Sequence, residues 1–572
     1  MIKKIPLKFY FMSIILVSSI LLILSFASDV RNSTIAMASD LFKDSEWFFL
    51  DNKKMKVEQI TEDETPLFIQ TEEKIEKKGK DTVTYGMATD TIYRYEIGGS
   101  RGANLDVTVR KFTNGDQFVF STLDNPSKKE ITVNLFQIEP NLSKFQIYRF
   151  DRYPIKKNPD DKENYNLSTY PTGLLRMENS EGLVGERMVG QAYRSKELEQ
   201  RYDDGGESVM RELLAEEEAI SLYSKGKDIY VFYTLASKGK DIVDTWYMDS
   251  DEKLFRSDEN MNKWMIESAS NYKKRNKWYT AEGPYNRMVS STEPMPESYQ
   301  GFGRSLLLVK ENRALELFEQ QGDRYFENLI NNSFVNLEKF KEDQKYWETE
   351  VTSTYLKDLY GITAPFIDTR FNEQIALFYY NIGEKLKVPD YKEPLRNYAD
   401  LLVSQKKQGN IIPVDQESYY ISDYFPVVEE QKQKTHSSMN HVLGGMNLLL
   451  IAYQDFNEPI YLETAKAIQT AIAKEKDKWI RPNGDLWYKV DKDGNFVGED
   501  YQHLTLEDLI KSYRLWSEID KSNLPVVEEL IASKAGYLSV NNFGYTEEIK
   551  NGLEELNLTQ YLPSGPIHMD AL

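Results

Sequence analysis

The sequence predicts an α+β multidomain protein. An N-terminal antiparallel β-sandwich-like domain is followed by an α/α helical-hairpin toroid, and an N-terminal transmembrane helix precedes both. Three features of the 572-residue chain carry this expectation. Side chains alternate with a period of two from about residue 40 to 265. They repeat at helical spacing from about residue 305 onward. An uncharged run long enough to cross a bilayer stands behind lysines at the start. The expected boundaries are 1–30 for a membrane anchor or signal segment, 40–276 for the β-rich domain, 277–304 for a connector and 305–572 for the helical domain.

Lys3, Lys4 and Lys8 precede a run from Phe9 to Ser28 without a charged side chain, and Asp29 ends it. At about 1.5 Å per residue such a run spans a hydrocarbon core of about 30 Å. Lysines on the leading side keep the N-terminus in the cytosol. The alternative is a cleaved signal, with Ser25-Phe26-Ala27 or Ala36-Met37-Ala38 as the small-residue site. On either reading the bulk of the chain is extracytoplasmic, single-pass on the cell membrane or secreted. There is no cysteine, which excludes disulfides, thiolate chemistry and an acylated-cysteine anchor.

Strand signals follow. Thr82–Tyr85, Thr91–Tyr95, Leu105–Val109, Gln117–Ser121, Ile131–Leu135 and Asp228–Tyr233 alternate in character. Turn residues separate them, as at Gly98-Gly99, Asn114-Gly115-Asp116 and Gly226-Lys227-Asp228. One helical insert is expected over 196–224, a stretch rich in Glu and Leu. The connector carries Gly283-Pro284, Glu293-Pro294-Met295-Pro296 and Gly301-Phe302-Gly303. Helices are then expected near 305–321, 325–345, 350–360, 370–387, 390–406, 436–455, 459–477, 504–518 and 524–534. Short polar connections make neighbours antiparallel. A hairpin interrupts them, from Asp485 through Val490 and back through Asn495-Phe496-Val497. Asp491-Lys492-Asp493-Gly494 begins like a calcium loop. Phe496 and Gln502 stand where such a loop needs Gly and Glu, so a turn explains it better.

The net charge of −20 excludes nucleic acid and anionic surfaces as partners. The 37 tyrosines and 8 tryptophans suit stacking on sugar rings, although aromatic residues also fill strands and helix interfaces. Candidate chemistry falls in four places. In Asp368-Thr369-Arg370-Phe371-Asn372-Glu373, Asp368 or Thr369 caps a helix. At the mouth of a toroid the same run presents acid, cation and acid together. Arg370 then clamps a carboxylate, Asn372 binds substrate, and Asp368 and Glu373 are catalytic candidates. The loop Tyr419–Phe425 offers Tyr420 for binding, Tyr424 for proton transfer and the carboxylate of Asp423. His436, Asn440 and His441 open an apolar helix, and His503 precedes another. Only four histidines exist in the chain, and imidazole suits general acid or base work. His436 and His441 lack the four-residue spacing that puts one metal on one helix, so neither metal nor cofactor is expected. Trp487 and Tyr488 form an aromatic wall of the mouth or one packed face of a hairpin.

The region from about 347 to 512 resembles the helical domain of D-glucuronyl C5-epimerases, within the wider group of helical-toroid polysaccharide-active proteins. Trp347-Glu348-Thr349-Glu350-Val351-Thr352-Ser353, the Asp368–Glu373 run and the His436–Leu450 helix carry the resemblance. The resemblance implies glycan chemistry with a polysaccharide or oligosaccharide partner. Two mechanisms stay open. Epimerisation or elimination of a uronate uses Tyr424, His436 or His441 as base or acid, with Arg370 or Asn440 neutralising the carboxylate. Glycoside hydrolysis uses two carboxylates drawn from Glu350, Asp368, Glu373 and Asp423. The different-class alternative is a non-catalytic envelope protein that binds a glycan or assists polymer assembly.

Overall fold

The computed structural model describes residues 47–50, 53–62, 65–150, 171–271, 277–288, 291–295, 301–341, 343–388, 390–428 and 433–563. The expected anchor or signal segment lies outside them. Among the described residues no helix is long and apolar enough to cross a membrane. The chain divides into two compact units. One holds residues up to Glu197, Arg211–Tyr285 and Leu317–Asn331. The other holds Leu198–Met210, Asn286–Glu316 and everything from Asn332 onward.

The first unit is built from antiparallel strands. Ile75–Tyr85, Ala88–Ile97, Ala103–Phe112, Gln117–Asn125 and Asp241–Ser250 pair in a meander-like run. A second sheet sets Phe68–Thr71, Ile131–Glu139, Asp228–Ser237 and Ile220–Lys225 side by side. Inward residues of both sheets meet in one core. Ile69, Leu135 and Val231 come from one sheet, and Leu105, Val119 and Val243 from the other. The expected sandwich-like layering is therefore present, and alternation along the strands is what builds it.

The helix expected over 196–224 is instead three strands: Ala192–Arg201, Glu207–Glu217 and Ile220–Lys225. Glu and Leu are good helix formers, but propensity yields to turn chemistry and ladder pairing. Asp203-Asp204-Gly205-Gly206 turns the chain, with Gly205 at φ 86° and the Tyr202 N–H donating to the Gly206 carbonyl at 2.9 Å.

The second unit stacks helical hairpins in two layers. In one layer the Thr369 helix (Thr369–Leu386) packs on the Met439 helix (Met439–Phe456), which packs on the Leu504 helix (Leu504–Ile519). In the other, the Glu393 helix (Glu393–Gln408), the Pro459 helix (Pro459–Trp479) and the Leu524 helix (Leu524–Val540) follow the same order. The Met439 helix is buried on nearly every side along its largely apolar stretch from Val442 to Ala452. Three helices start three or four residues later than their periodicity indicates, at Thr354, Glu393 and Met439, and one is split. Asp390 takes a left-handed conformation, φ 51°, so the Glu393 helix begins beyond it with Pro394 in its first turn. The Lys310 backbone is extended and splits the first expected helix into Leu306–Val309 and Asn312–Gln321. A short helix, Glu547–Glu555, capped by the Thr546 hydroxyl, carries no long periodic signal and was not expected.

Gly444 is where the first layer closes. A Cβ there would overlap the Arg370 guanidinium and lie 2.8 Å from Glu373 Oε2. Gly444→Ala is expected to destabilise the protein by about 1–3 kcal/mol, read by urea unfolding. An unchanged midpoint would mean that the ion pair moves aside at no cost.

Candidate functional site

The leading ends of the first-layer helices meet at one cleft of about 470 Å³ in the helical unit. Arg370 and Phe371 come from the Thr369 helix and Asp368 from its cap, Asn440 and His441 from the Met439 helix, and Leu504 from the Leu504 helix. Glu350, Arg287 and Arg304 add charge to the wall, and Tyr424, Tyr488 and Tyr501 add rings. This size fits a cleft for a small organic ligand or a short stretch of polymer.

Each side chain is positioned by local structure. Phe366–Asp368 pairs antiparallel with Tyr424–Pro426, so Asp368 lies directly opposite Tyr424. Asp368 also caps the Thr369 helix, accepting the Phe371 N–H at 3.0 Å. Burial pushes its carboxyl up to about 6, against the backbone N–H groups of Phe371 and Arg370 and the charges of Lys310 and Arg370. Tyr424 is held well above its ordinary range by burial and by the Asp368 and Asp423 carboxylates, so it stays a phenol. Its ring lies 5.6 Å from that of His441 and 5.7 Å from that of His436.

Both histidines are neutral rings. Burial, then Lys489, lowers His436 to about 3. Burial, then Arg370 and His436, holds His441 well below its ordinary value. His436 Nδ1 is 2.8 Å from the Tyr360 hydroxyl, and His441 Nδ1 is 2.7 Å from Thr369 Oγ1. Arg370 is already compensated. It lies 2.8 Å from Glu373 Oε2 and 2.9 Å from Asp508 Oδ1, and it donates to the Asn440 carbonyl. Asp508 is raised by burial, which the Arg370 charge opposes. Arg304 donates to Glu350 through Nε at 2.9 Å and through Nη2. Tyr501 is half exposed at the rim and meets Tyr488 edge-on at 5.7 Å.

The structure brings Glu350, Asp368, Arg370, Tyr424, Asn440, His441 and Tyr488 to the cleft wall. Glu373 and His436 stand one layer behind it, in contact with Arg370 and Tyr360. Four expected site residues are engaged elsewhere. His503 Nε2 is 2.5 Å from the Gly544 carbonyl. Asn372 is fully buried, exchanging bonds with both backbone groups of Trp347 and donating to the Asp368 carbonyl. Tyr420 donates to Glu475 and accepts from Trp479 inside the core. Trp487 stacks under Arg481, 5.0 Å from the guanidinium carbon. Arg304, Tyr501 and Asp508 were not picked out in the sequence. Arg304 and Asp508 sit far from the motifs they join, and Tyr501 is one tyrosine among many.

No protein-family model and no curated protein sequence matches the chain. Solved structures do. An α-mannanase of glycoside hydrolase family 76 from Bacteroides thetaiotaomicron is 14% identical, over 45% of this chain and 66% of that one, with a TM-score of 0.30. An inactive α-1,6-mannanase variant from Salegentibacter sp. HEL1_6, in complex with α-1,6-mannotetrose, is 14% identical over 54% and 81%, with a TM-score of 0.34. Cellobiose 2-epimerase from Bacillus thermoamylovorans B4167 is 15% identical over 38% and 55%, with a TM-score of 0.30. The chain thus spans about two thirds of the first of these and about half of the third. At identities and TM-scores this low the likeness assigns neither reaction nor ligand.

Proposed function

We propose that the protein is a carbohydrate-active enzyme that cleaves a glycosidic bond of a neutral glycan in this cleft. Asp368 gives its proton to the leaving glycosidic oxygen. Glu350 is the second carboxylate and takes the proton of the attacking water. Tyr424 and His441 hold sugar hydroxyls, and the tyrosine-lined rim packs against ring faces. The stacked hairpins are the unit from which an α/α toroid is made, and the cleft at their leading ends is where such a fold keeps its substrate. The uncharged run near the N-terminus supports work outside the cytosol on an exported or cell-surface polysaccharide.

The observation that carries the reading is the state of Asp368. It is a buried carboxyl on the cleft wall, raised to about 6 and opposite the Tyr424 phenol in the strand pair. The pairing of two of the three cleft arginines favours a neutral glycan over a uronate. Arg304 is held by Glu350, and Arg370 by Glu373 and Asp508. A uronate carboxylate would have to displace one of these acids, whereas a neutral sugar requires no exchange.

The proton-giving form of Asp368 persists up to about pH 6 and is lost above it. The expected kcat/KM is therefore flat below about pH 6 on this limb and falls tenfold per pH unit above. A limb that instead rises through pH 6 would make Asp368 a base. The test incubates the protein with neutral and with uronate-containing polysaccharides. New reducing ends from neutral chains are expected. Ultraviolet-absorbing unsaturated ends, or solvent deuterium at C5, would replace hydrolysis by uronate chemistry. Glycan binding with no product at all would replace it by a non-catalytic scaffold.

A further inference from the structure

Asp423 lies next to the cleft yet is not on its wall, and its carboxylate has no exposed surface. Its backbone is fixed at both ends. The Asp423 N–H donates to the His436 carbonyl at 2.9 Å, and its carbonyl accepts the Thr369 N–H at 3.0 Å. The carboxylate accepts the Ser438 N–H on both oxygens, at 2.9 and 3.1 Å, and the Ser438 hydroxyl at 2.5 Å on Oδ2. Ser438 stands at the cap position of the Met439 helix but gives its hydroxyl to Asp423 rather than to the helix. Two imidazoles flank the carboxylate. His436 Nε2 is 3.3 Å from Oδ2, and His441 Nδ1 is 3.8 Å from Oδ1.

His441 Nδ1 therefore faces two oxygens, Thr369 Oγ1 at 2.7 Å and Asp423 Oδ1 at 3.8 Å. Burial pushes Asp423 well above its ordinary range, against the Ser438 hydroxyl and N–H, which bond both of its oxygens as an ionised carboxylate accepts them. Thr369 Oγ1 can pair with either form of Nδ1, but a protonated Nδ1 is attracted by the carboxylate and a bare lone pair is repelled by it. Nε2, the other ring nitrogen, has no hydrogen-bond partner among the described residues and belongs to a residue of the cleft wall. We propose that Asp423 is a positioning residue that holds His441 as the Nδ1–H tautomer, so that Nε2 faces the cleft as an acceptor for a sugar hydroxyl. The tautomer is argued from the Asp423 contact and not from any reaction, and only its use on a sugar rests on the function proposed above. Arg370, His436 and Tyr424 also face His441. The first two oppose a second proton on it, so the ring stays neutral and the choice lies between tautomers.

With only four histidines in the chain, ¹⁵N-histidine labelling resolves each ring by NMR, and His436→Gln and His441→Gln assign two of them. The expected wild-type spectrum has a protonated Nδ1 and a bare Nε2 on His441. Asp423→Asn is expected to remove this preference and populate the Nε2–H tautomer. The neutral amide keeps its oxygen on the Ser438 N–H but no longer supplies the charge that holds a proton on His441 Nδ1. Thr369→Val removes the hydroxyl and keeps the carboxylate, so it is expected to retain Nδ1–H, and it serves if Asp423→Asn does not fold. A wild-type ring protonated at Nε2, or a ring that Thr369→Val reverses, would overturn the proposal whether or not the protein cleaves glycans. If it does cleave them, Asp423→Asn is expected to lower kcat/KM about tenfold or more, with the pH limb of Asp368 kept in place.

Discussion

Asp368→Asn is expected to cost the protein its activity and hardly any of its stability. The side chain has two jobs, and asparagine can do one of them. As a helix cap, Asn accepts the Phe371 N–H about as well as Asp does. As a proton donor to a leaving oxygen it fails, because an amide does not release a proton at neutral pH. Losing general acid catalysis costs about 10²–10⁴-fold in rate. The check is kcat/KM beside a thermal melt on the same preparation. A variant that folds like the wild type and keeps more than about a tenth of its rate would remove Asp368 from the chemistry. A variant that melts early would mean that the cap matters more than the acid.

Lys534→Met is expected to be the most destabilising single change in the helical unit. Lys534 Nζ lies fully buried, 2.6 Å from Asp485 Oδ1 and 2.7 Å from Asp500 Oδ2. Burial already raises Asp500, and the lysine charge opposes that. Methionine matches the shape but leaves two buried carboxylates without the cation they share, which costs about 3–5 kcal/mol. Arg481, 3.3 Å from Asp485, compensates one of them in part. Both acids flank the hairpin that carries Tyr488, so the cleft wall suffers with the core. Urea unfolding reads the loss. Because the stranded carboxylates are easier to bury protonated, the deficit is expected to shrink as pH falls through the carboxylate range. A loss below about 1 kcal/mol would mean that water enters and solvates the pair.

Much of this was readable in the chain. Period-two alternation marks Ala103–Phe112 and Asp228–Ser237 as strands because a sheet with one buried face imposes that period. The largely apolar run after His441 marks a central helix because little polar face is needed there. Pro365 before Asp368 marks the start of the Thr369 helix, and the cap is where expected. The Glu/Leu-rich stretch misled because its composition favours helix, while the Asp203–Gly206 turn decides for strands. Partners are harder to read than elements. Glu373 could have closed a capping box, yet it turns to Arg370, whose second acid, Asp508, lies 138 residues further on. Asn372 and Tyr420 belong to motifs that do reach the cleft, but their side chains point into the protein and are used up there. Nothing local in a sequence says which way a residue at the rim of a site will turn.

The most direct measurement is a crystal structure of the Asp368→Asn protein soaked with a neutral oligosaccharide that the wild type cleaves. The account predicts a glycosidic oxygen within hydrogen-bond distance of the side chain at position 368. It also predicts a sugar hydroxyl on His441 Nε2 and a ring face against Tyr488 or Tyr501. A sugar bound away from position 368, or seated only on Arg304 or Arg370 through a carboxylate, would contradict it.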